Sequence, residues 1–363
     1  MRNFIKQEYV LFIAALTVVF FKSGGDSVLA TELSSFEGIS LTVILFVVAM
    51  AAIFAVVRHS DALAIKLGDP YGTLILTLSV ISLEVVMISS VMLTGDANPL
   101  LARDTMFAVV MAVLNGLVGI TLLIGGMKHH TQDYNLDGLK SYLVVITPLA
   151  ILCLVLPNFT AVDHSGAMSL ALTITLVFAS VVVYSVFLYI QTKSHTHFFV
   201  DDRHHDEHEF HGPMRSNLYH SIMLVAHLGV VILMAKSIAI PIDGAIAKLG
   251  APQALGGLIV AILILAPEAV GAGKAALNNQ LQRAMNLYFG SVLATIALTV
   301  PAVLLISQVL AEPIVLGLEP AEAVLLVTTL VMTGISFSSG KTNALTGTVH
   351  LILFIAYIIL MFE

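Results

Sequence analysis

Two acidic residues in this sequence stand well inside long apolar runs. Glu84 lies in GTLILTLSVISLEVVMISSVML and Glu268 in GGLIVAILILAPEAVGAGKAAL. An acidic side chain at the centre of a membrane span costs about 2.5–3.5 kcal/mol, so a chain that keeps two is expected to use them. Burial raises a carboxylate pKa, and a like charge nearby raises one of a pair further. Near neutral pH such a pair holds either protons or a cation, and its oxygens suit Ca2+ or Na+ better than soft metals. If access alternates only when the pair is neutralised, that competition alone produces obligatory cation/proton exchange.

Further oxygens lie at helical spacing from the carboxylates. Thr73, Thr77 and Glu84 fall within about 40° of one another on a helix that turns 100° per residue. Pro267, immediately before Glu268, removes a helix hydrogen bond and frees a carbonyl one turn back. The apolar run after each glutamate adds Asn115 with Gly116 and Gly119, and Ser291 with Thr295 and Thr299. The candidate cation/proton site is therefore Glu84, Glu268, Thr77, Asn115, Ser291 and Thr295, with the two glutamates as direct ion ligands. The competing reading of either glutamate alone is a protonated, hydrogen-bonded structural group.

Positioning these residues requires spans. The chain has 363 residues, 58% apolar and 11% charged, with net charge −7 and mean hydropathy +0.99. That is too little charge to cover a water-facing surface, which excludes a soluble enzyme and a disordered chain. The negative net charge offers nothing to nucleic acid. The single cysteine, Cys153, excludes a disulfide framework. The expected fold is an all-α polytopic membrane protein. Apolar runs at 8–22, 39–57, 71–93, 105–126, 142–157, 167–190, 218–240, 253–275, 286–310, 321–338 and 343–362 indicate about eleven transmembrane helices. The first is short for a crossing and lacks a signal-peptide cleavage site. Of the sixteen Lys and Arg, only Lys22, Arg103, Lys236 and Lys248 fall in outer segments if the N-terminus is inside. The positive-inside bias therefore predicts a cytoplasmic N-terminus and a C-terminus on the opposite side of the membrane.

Superposing the two glutamates also aligns Gly72 with Gly256, Leu74 with Leu258 and Val86 with Val270. The Glu84 span runs inside to outside and the Glu268 span the reverse, as expected of inverted repeats with a midplane site. The expected organisation is an extra first helix and loop (1–38), a five-helix repeat (39–190), a cytoplasmic linker (191–217) and a second five-helix repeat (218–363).

The segments GDPYGTLILTLSVISLEVVMIS (68–89) and LAPEAVGAGKAALNNQLQRAMNLYFGSVLATIALTVP (265–301) resemble the cation/proton antiporter family of the calcium/cation antiporter superfamily, most of all its bacterial ChaA-type branch. The resemblance extends over essentially the whole chain. It implies a secondary transporter whose conserved repeats end in a glutamate, by position Glu84 and Glu268. The Gly-Asn pair of the plant and yeast members is replaced by Val80-Ile81 and Ile264-Leu265, and Ala294 stands where a glutamine ligand would be. The resemblance permits Ca2+, Na+ or K+ as the ion exchanged for H+. The alternatives are monovalent Na+(K+)/H+ antiport with little calcium transport, and cation/cation exchange without proton coupling. No cofactor is implied, and the remaining partner is membrane lipid.

The linker holds His195, His197, His204, His205, His208 and His211 among acidic residues, of which His204, His205, Asp206 and His208 form a candidate regulatory metal or pH-sensing set. The competing reading is a solvated connector. His220 and His227 share a helix face seven residues apart, and a structural hydrogen bond is expected there over a proton path. His350 takes the same structural reading. HHDEHEFH lacks the HExxH spacing of a zinc hydrolase, and GISFSSGKT has the wrong glycine spacing for a phosphate loop. The spans carry no Asp/Asp, Ser/His or HExxH arrangement for an intramembrane hydrolase, so an enzyme is not expected. One acidic residue per inverted repeat also argues for alternating access over a channel.

Overall fold

The computed structural model describes residues 7–68, 71–92, 99–160, 169–200, 214–310 and 314–363. A helix corresponds to each of the eleven apolar runs. They are α1 (Tyr9–Thr31), α2 (Phe36–Leu67), α3 (Tyr71–Met92), α4 (Leu101–His129), α5 (Leu136–Val155), α6 (Leu170–Ser194), α7 (Asn217–Leu249), α8 (Ala254–Leu277), α9 (Leu281–Gln308), α10 (Pro320–Ser336) and α11 (Ala344–Met361). Nine of these are long and apolar enough to cross a membrane, and α10 and the 74–89 part of α3 are shorter apolar helices. The all-α polytopic architecture is thus as expected.

Several helices outrun their hydropathy. The first run was read as short, yet α1 continues to Thr31 through a π-turn at Phe21–Gly25, where Gly24 takes φ 155°. Only glycine reaches that backbone region without steric penalty, so Gly24 lets the helix shift phase and resume. Lys22 and Lys236 consequently sit within α1 and α7, not in loops. α2 runs ten residues past its expected end because Arg58 and His59, which break the apolar run, find partners on other helices.

The helices form two compact units, Met1–Asn98 with His208–Pro267, and Pro99–Glu207 with Glu268–Glu363. Each combines segments from both halves of the chain. The first is built on α1, α2, α3, α7 and the first part of α8. Its core interleaves Ala49, Ile53 and Val56 of α2, Leu83 and Met87 of α3, Val231 and Met234 of α7, and Val260 and Leu263 of α8. Gly72 opens α3 so close to the Ala64 backbone that no Cβ would fit. At one end Lys248 Nζ donates to Ser34 Oγ (3.1 Å), tying the α7 terminus to the α1–α2 loop.

The second unit contains the rest of α8 with α4, α5, α6, α9, α10 and α11. At the C-terminal end of α4, strand β1 (Thr131–Asp133) pairs antiparallel with β2 (Lys341–Asn343), Thr131 opposite Asn343. Gln132 Nε2 donates to Ala276 O (3.0 Å), and the Asn135 N–H to Gln282 Oε1 (2.7 Å). Asn286 Nδ2 donates to Phe199 O. The loops after α4, α6, α8 and α10 thus share one rim. At the other end of α4, Val315 N–H donates to Pro99 O (3.0 Å), Leu318 N–H to Leu154 O (2.8 Å) and Arg103 to Gly317 O (3.3 Å). There the loops before α4, after α5 and after α9 meet. Even-numbered and odd-numbered loops therefore segregate to opposite ends of this unit, as alternating transmembrane crossings require. Ile174, Phe178 and Val186 of α6 and Ile352, Ile355 and Ile359 of α11 are exposed, an outward apolar face suited to lipid.

Candidate cation site

Glu84 sits on the inner face of α3 between Leu83 and Met87 and is only 3% exposed. Ser79, also buried, returns its hydroxyl to Ile75 O (2.7 Å), so that hydroxyl is satisfied within the helix. Thr77 is half-buried two turns before Glu84 on the same face. The Thr73 side chain lies outside the described residues. These residues belong to the first unit.

Glu268, Asn115, Ser291 and Thr295 belong to the second. Glu268 is half-buried on α8, which runs without a break through Pro267. Oε1 of Glu84 and Oε2 of Glu268 are both shielded from solvent. Tyr288 of α9 lies within electrostatic reach of Glu268, and its hydroxyl bonds Thr121 Oγ1 of α4 at 2.8 Å.

α4 and α9 each carry a π-turn at mid-helix, Ala112–Leu117 and Thr295–Thr299. The sequence separation of Asn115 from Thr299 equals that of Glu84 from Glu268, so the two distortions fall at matched places in the proposed repeat. π-turns re-aim side chains and carbonyls and are frequent at functional sites. Asn115 is fully buried in the first; its Nδ2 donates to Thr329 Oγ1 (2.8 Å) and its Oδ1 meets His350 Nδ1 (3.1 Å). His350 Nε2 bonds Ser336 Oγ at 3.0 Å. Asn115 thereby joins α4, α10 and α11, and His350 is structurally hydrogen-bonded, as read from sequence. Close approach makes this network reachable: a Cβ on Gly347 would stand 2.6 Å from the Gly119 carbonyl oxygen. Thr295 is buried in the second π-turn, and its N–H donates to the carbonyl of half-buried Ser291.

The sodium/calcium exchanger protein family matches residues 36–193 and 220–363, most of the chain, in two blocks that leave out α1 and most of the linker. The chain belongs to this family. Among its relatives is the Sodium-potassium/proton antiporter ChaA of Escherichia coli (strain K12), 44% identical over 98% of this chain and 96% of its own length. The Putative ionic transporter y4hA of Sinorhizobium fredii is 40% identical over 85% of each chain. In fold the chain is similar to native YfkE, with TM-score 0.74 at 19% identity over 97% of this chain and 99% of that one. The H+/Ca2+ exchanger CAX follows at TM-score 0.66 and 12% identity, over 97% and 87%. Membership of this family makes the chain an integral membrane transporter and not an enzyme.

One cluster in this family member was only half-legible. In the first unit, Glu8 at the start of α1, His59 of α2 and His227 of α7 are all buried, with ligating atoms within 4.8 Å of one another. Glu8 Oε2 accepts from Arg58 Nη2 (2.7 Å) and meets His59 Nε2 (3.3 Å), while Oε1 accepts from Tyr219 (2.6 Å). Burial pushes the Glu8 pKa up, but the hydrogen bonds from His59 and Tyr219 and the Arg58 charge outweigh it and hold it at about 2. His220 is hydrogen-bonded to His59 (3.0 Å) and to the Arg215 N–H (3.1 Å), the structural role expected of it. The shared face of His220 and His227 was the available signal. Glu8 and His59 gave none, since each falls at the edge of an apolar run. His204, His205, Asp206 and His208 of the linker set lie outside the described residues.

Proposed function

We propose that this transporter is a secondary antiporter that exchanges Ca2+, and also Na+ or K+, for H+ through Glu84 and Glu268 by alternating access. The reading rests above all on one observation: each half of the chain places one glutamate well inside an apolar run, at matched positions, with an oxygen shielded from solvent. Both carboxylates must be neutralised before the site can cross a low-dielectric barrier. A bound cation does this on one passage and protons on the return, so neither moves without the other. Thr77, Ser291 and Thr295 supply neutral oxygens that complete a hard-ion shell. Asn115 acts as a positioning residue, because both ends of its amide already hold α10 and α11 to the π-turn. The segregation of loops to opposite ends of the second unit supports the inverted-repeat reading. The Lys and Arg distribution supports a cytoplasmic N-terminus and a periplasmic C-terminus in the bacterial inner membrane.

A second reading, monovalent Na+(K+)/H+ antiport with little calcium transport, is favoured by the name of the 44%-identical Escherichia coli relative. One experiment separates them. In everted vesicles acidified by respiration, Ca2+, Na+ and K+ are added side by side over a range of pH. Dissipation of the gradient by all three supports the first reading, and by Na+ and K+ alone the second. Full exchange in Glu84→Gln or Glu268→Gln would remove the site from both.

A further inference from the structure

The cluster at the start of α1 has a donor set unlike that of the exchange site. We propose that Glu8, His59 and His227 form a binding site for a transition-metal dication of the Zn2+ class, which pins α1 to α2 and α7. Two imidazole nitrogens and one carboxylate oxygen select zinc-like ions over Ca2+ or Na+, which prefer all-oxygen shells. Three protein ligands with one open position is an established zinc arrangement. All three residues are buried, at 3%, 2% and 0% exposure, so the helices hold the donors together before any ion arrives.

The hydrogen bonds assign the nitrogens. His227 Nδ1 sits 2.8 Å from Met223 O, a carbonyl that can only accept, so Nδ1 carries the proton and Nε2 the lone pair. That Nε2 is buried and has no hydrogen-bond partner among the described residues. An orphaned buried acceptor is costly unless something occupies it, and backbone anchoring of the other nitrogen is the usual orientation of a metal-bound histidine. His59 is held through the His220 ring. The Arg215 N–H donates to His220 Nε2, leaving the His220 proton on Nδ1, which donates to His59 Nδ1. In that arrangement the His59 proton is on Nε2, 3.3 Å from Glu8 Oε2 and 3.1 Å from Arg58 Nη2, and the lone pair is on Nδ1. For Nε2 to bind a dication the two rings exchange tautomers: the His220 Nδ1 proton passes to His59 Nδ1, the His59 Nε2 proton leaves, and His220 takes a proton on Nε2 in place of its bond from the Arg215 N–H, so both rings stay neutral and no net proton is released. The dication also replaces Arg58, whose guanidinium now neutralises Glu8. The Arg58 side chain is 38% exposed and has solvent to swing into.

The test uses full-length protein with its purification tag removed and the linker histidines replaced by alanine. Titration with Zn2+ should show one tight site, Co2+ should give the visible spectrum of a low-coordinate nitrogen/oxygen site without a thiolate band, and Zn2+ should raise Tm. His227→Ala and His59→Ala should each weaken Zn2+ binding about ten-fold or more. Glu84→Gln and Glu268→Gln should bind Zn2+ as the parent does, which separates this site from the exchange site. His227→Asn, which keeps a polar group of smaller size, guards against a variant that fails to fold. Absence of a stoichiometric site in the parent protein, or equal affinity in the folded His227 variants, overturns the proposal.

Discussion

At the scale of single residues, the decisive quantity is the cost of a carboxylate among apolar helices. Glu84 pays it at 3% exposure. Glutamine removes the charge while keeping the shape, so Glu84→Gln and Glu268→Gln should insert and fold yet reduce exchange to background, read as a vesicle pH gradient that persists when the cation is added. Protons and cation compete for the same oxygens, which sets the sign of the pH dependence. As pH on the loading side rises, the apparent KM for the cation should fall, and a KM that rose with pH would contradict shared sites. Asn115 makes a different prediction because its amide is already engaged. Asn115→Ala leaves Thr329 and His350 short of a buried partner, at a cost of about 1–3 kcal/mol. A double-mutant cycle with His350→Ala should return a coupling of about 0.6 kcal/mol, the average for hydrogen bonds between membrane helices, and no more than about 1.7 kcal/mol, measured by reversible unfolding in detergent.

Among elements, the informative features are where helices come close and where they distort. α4 and α11 meet at Gly119 and Gly347 with no room for a side chain. Gly347→Leu should destabilise the protein by about 1–3 kcal/mol, since the opposing atoms are backbone and cannot turn aside. It should also lower exchange, because the same packing brings His350 to Asn115. The matched π-turns in α4 and α9 could not be foreseen. Asn115 and Thr295 were picked out as polar residues in apolar runs, but a π-turn depends on where neighbouring helices press. Likewise hydropathy alone ends α2 at residue 57. Arg58 and His59 end an apolar run, and only the partners Glu8 and His220 explain why the helix continues past them.

For the whole molecule, alternation of crossings yields a sidedness that chemistry can read. Cys153 is buried, so native protein should label weakly with a thiol reagent. Exposed Ser34 and Ser339 lie in odd- and even-numbered loops. In intact cells an impermeant maleimide should label Ser34→Cys and not Ser339→Cys, and in everted vesicles the pattern should invert. The opposite result would reverse the proposed orientation.

Sequence alone determined the membrane class, located the eleven apolar runs that the helices follow and singled out the two carboxylates. Each follows from a local cost: apolar length must match a bilayer, and a charge inside such a length stands out against it. The tertiary structure decided what depends on distance between segments remote in the chain. It regrouped the helices into two compact units that do not follow the two halves, turned Asn115 into a three-helix anchor, and brought Glu8 to His59 and His227. Hydropathy ranks each residue against the solvent around it and contains no information about partners, so a buried cluster assembled from helix ends is invisible until the helices are packed.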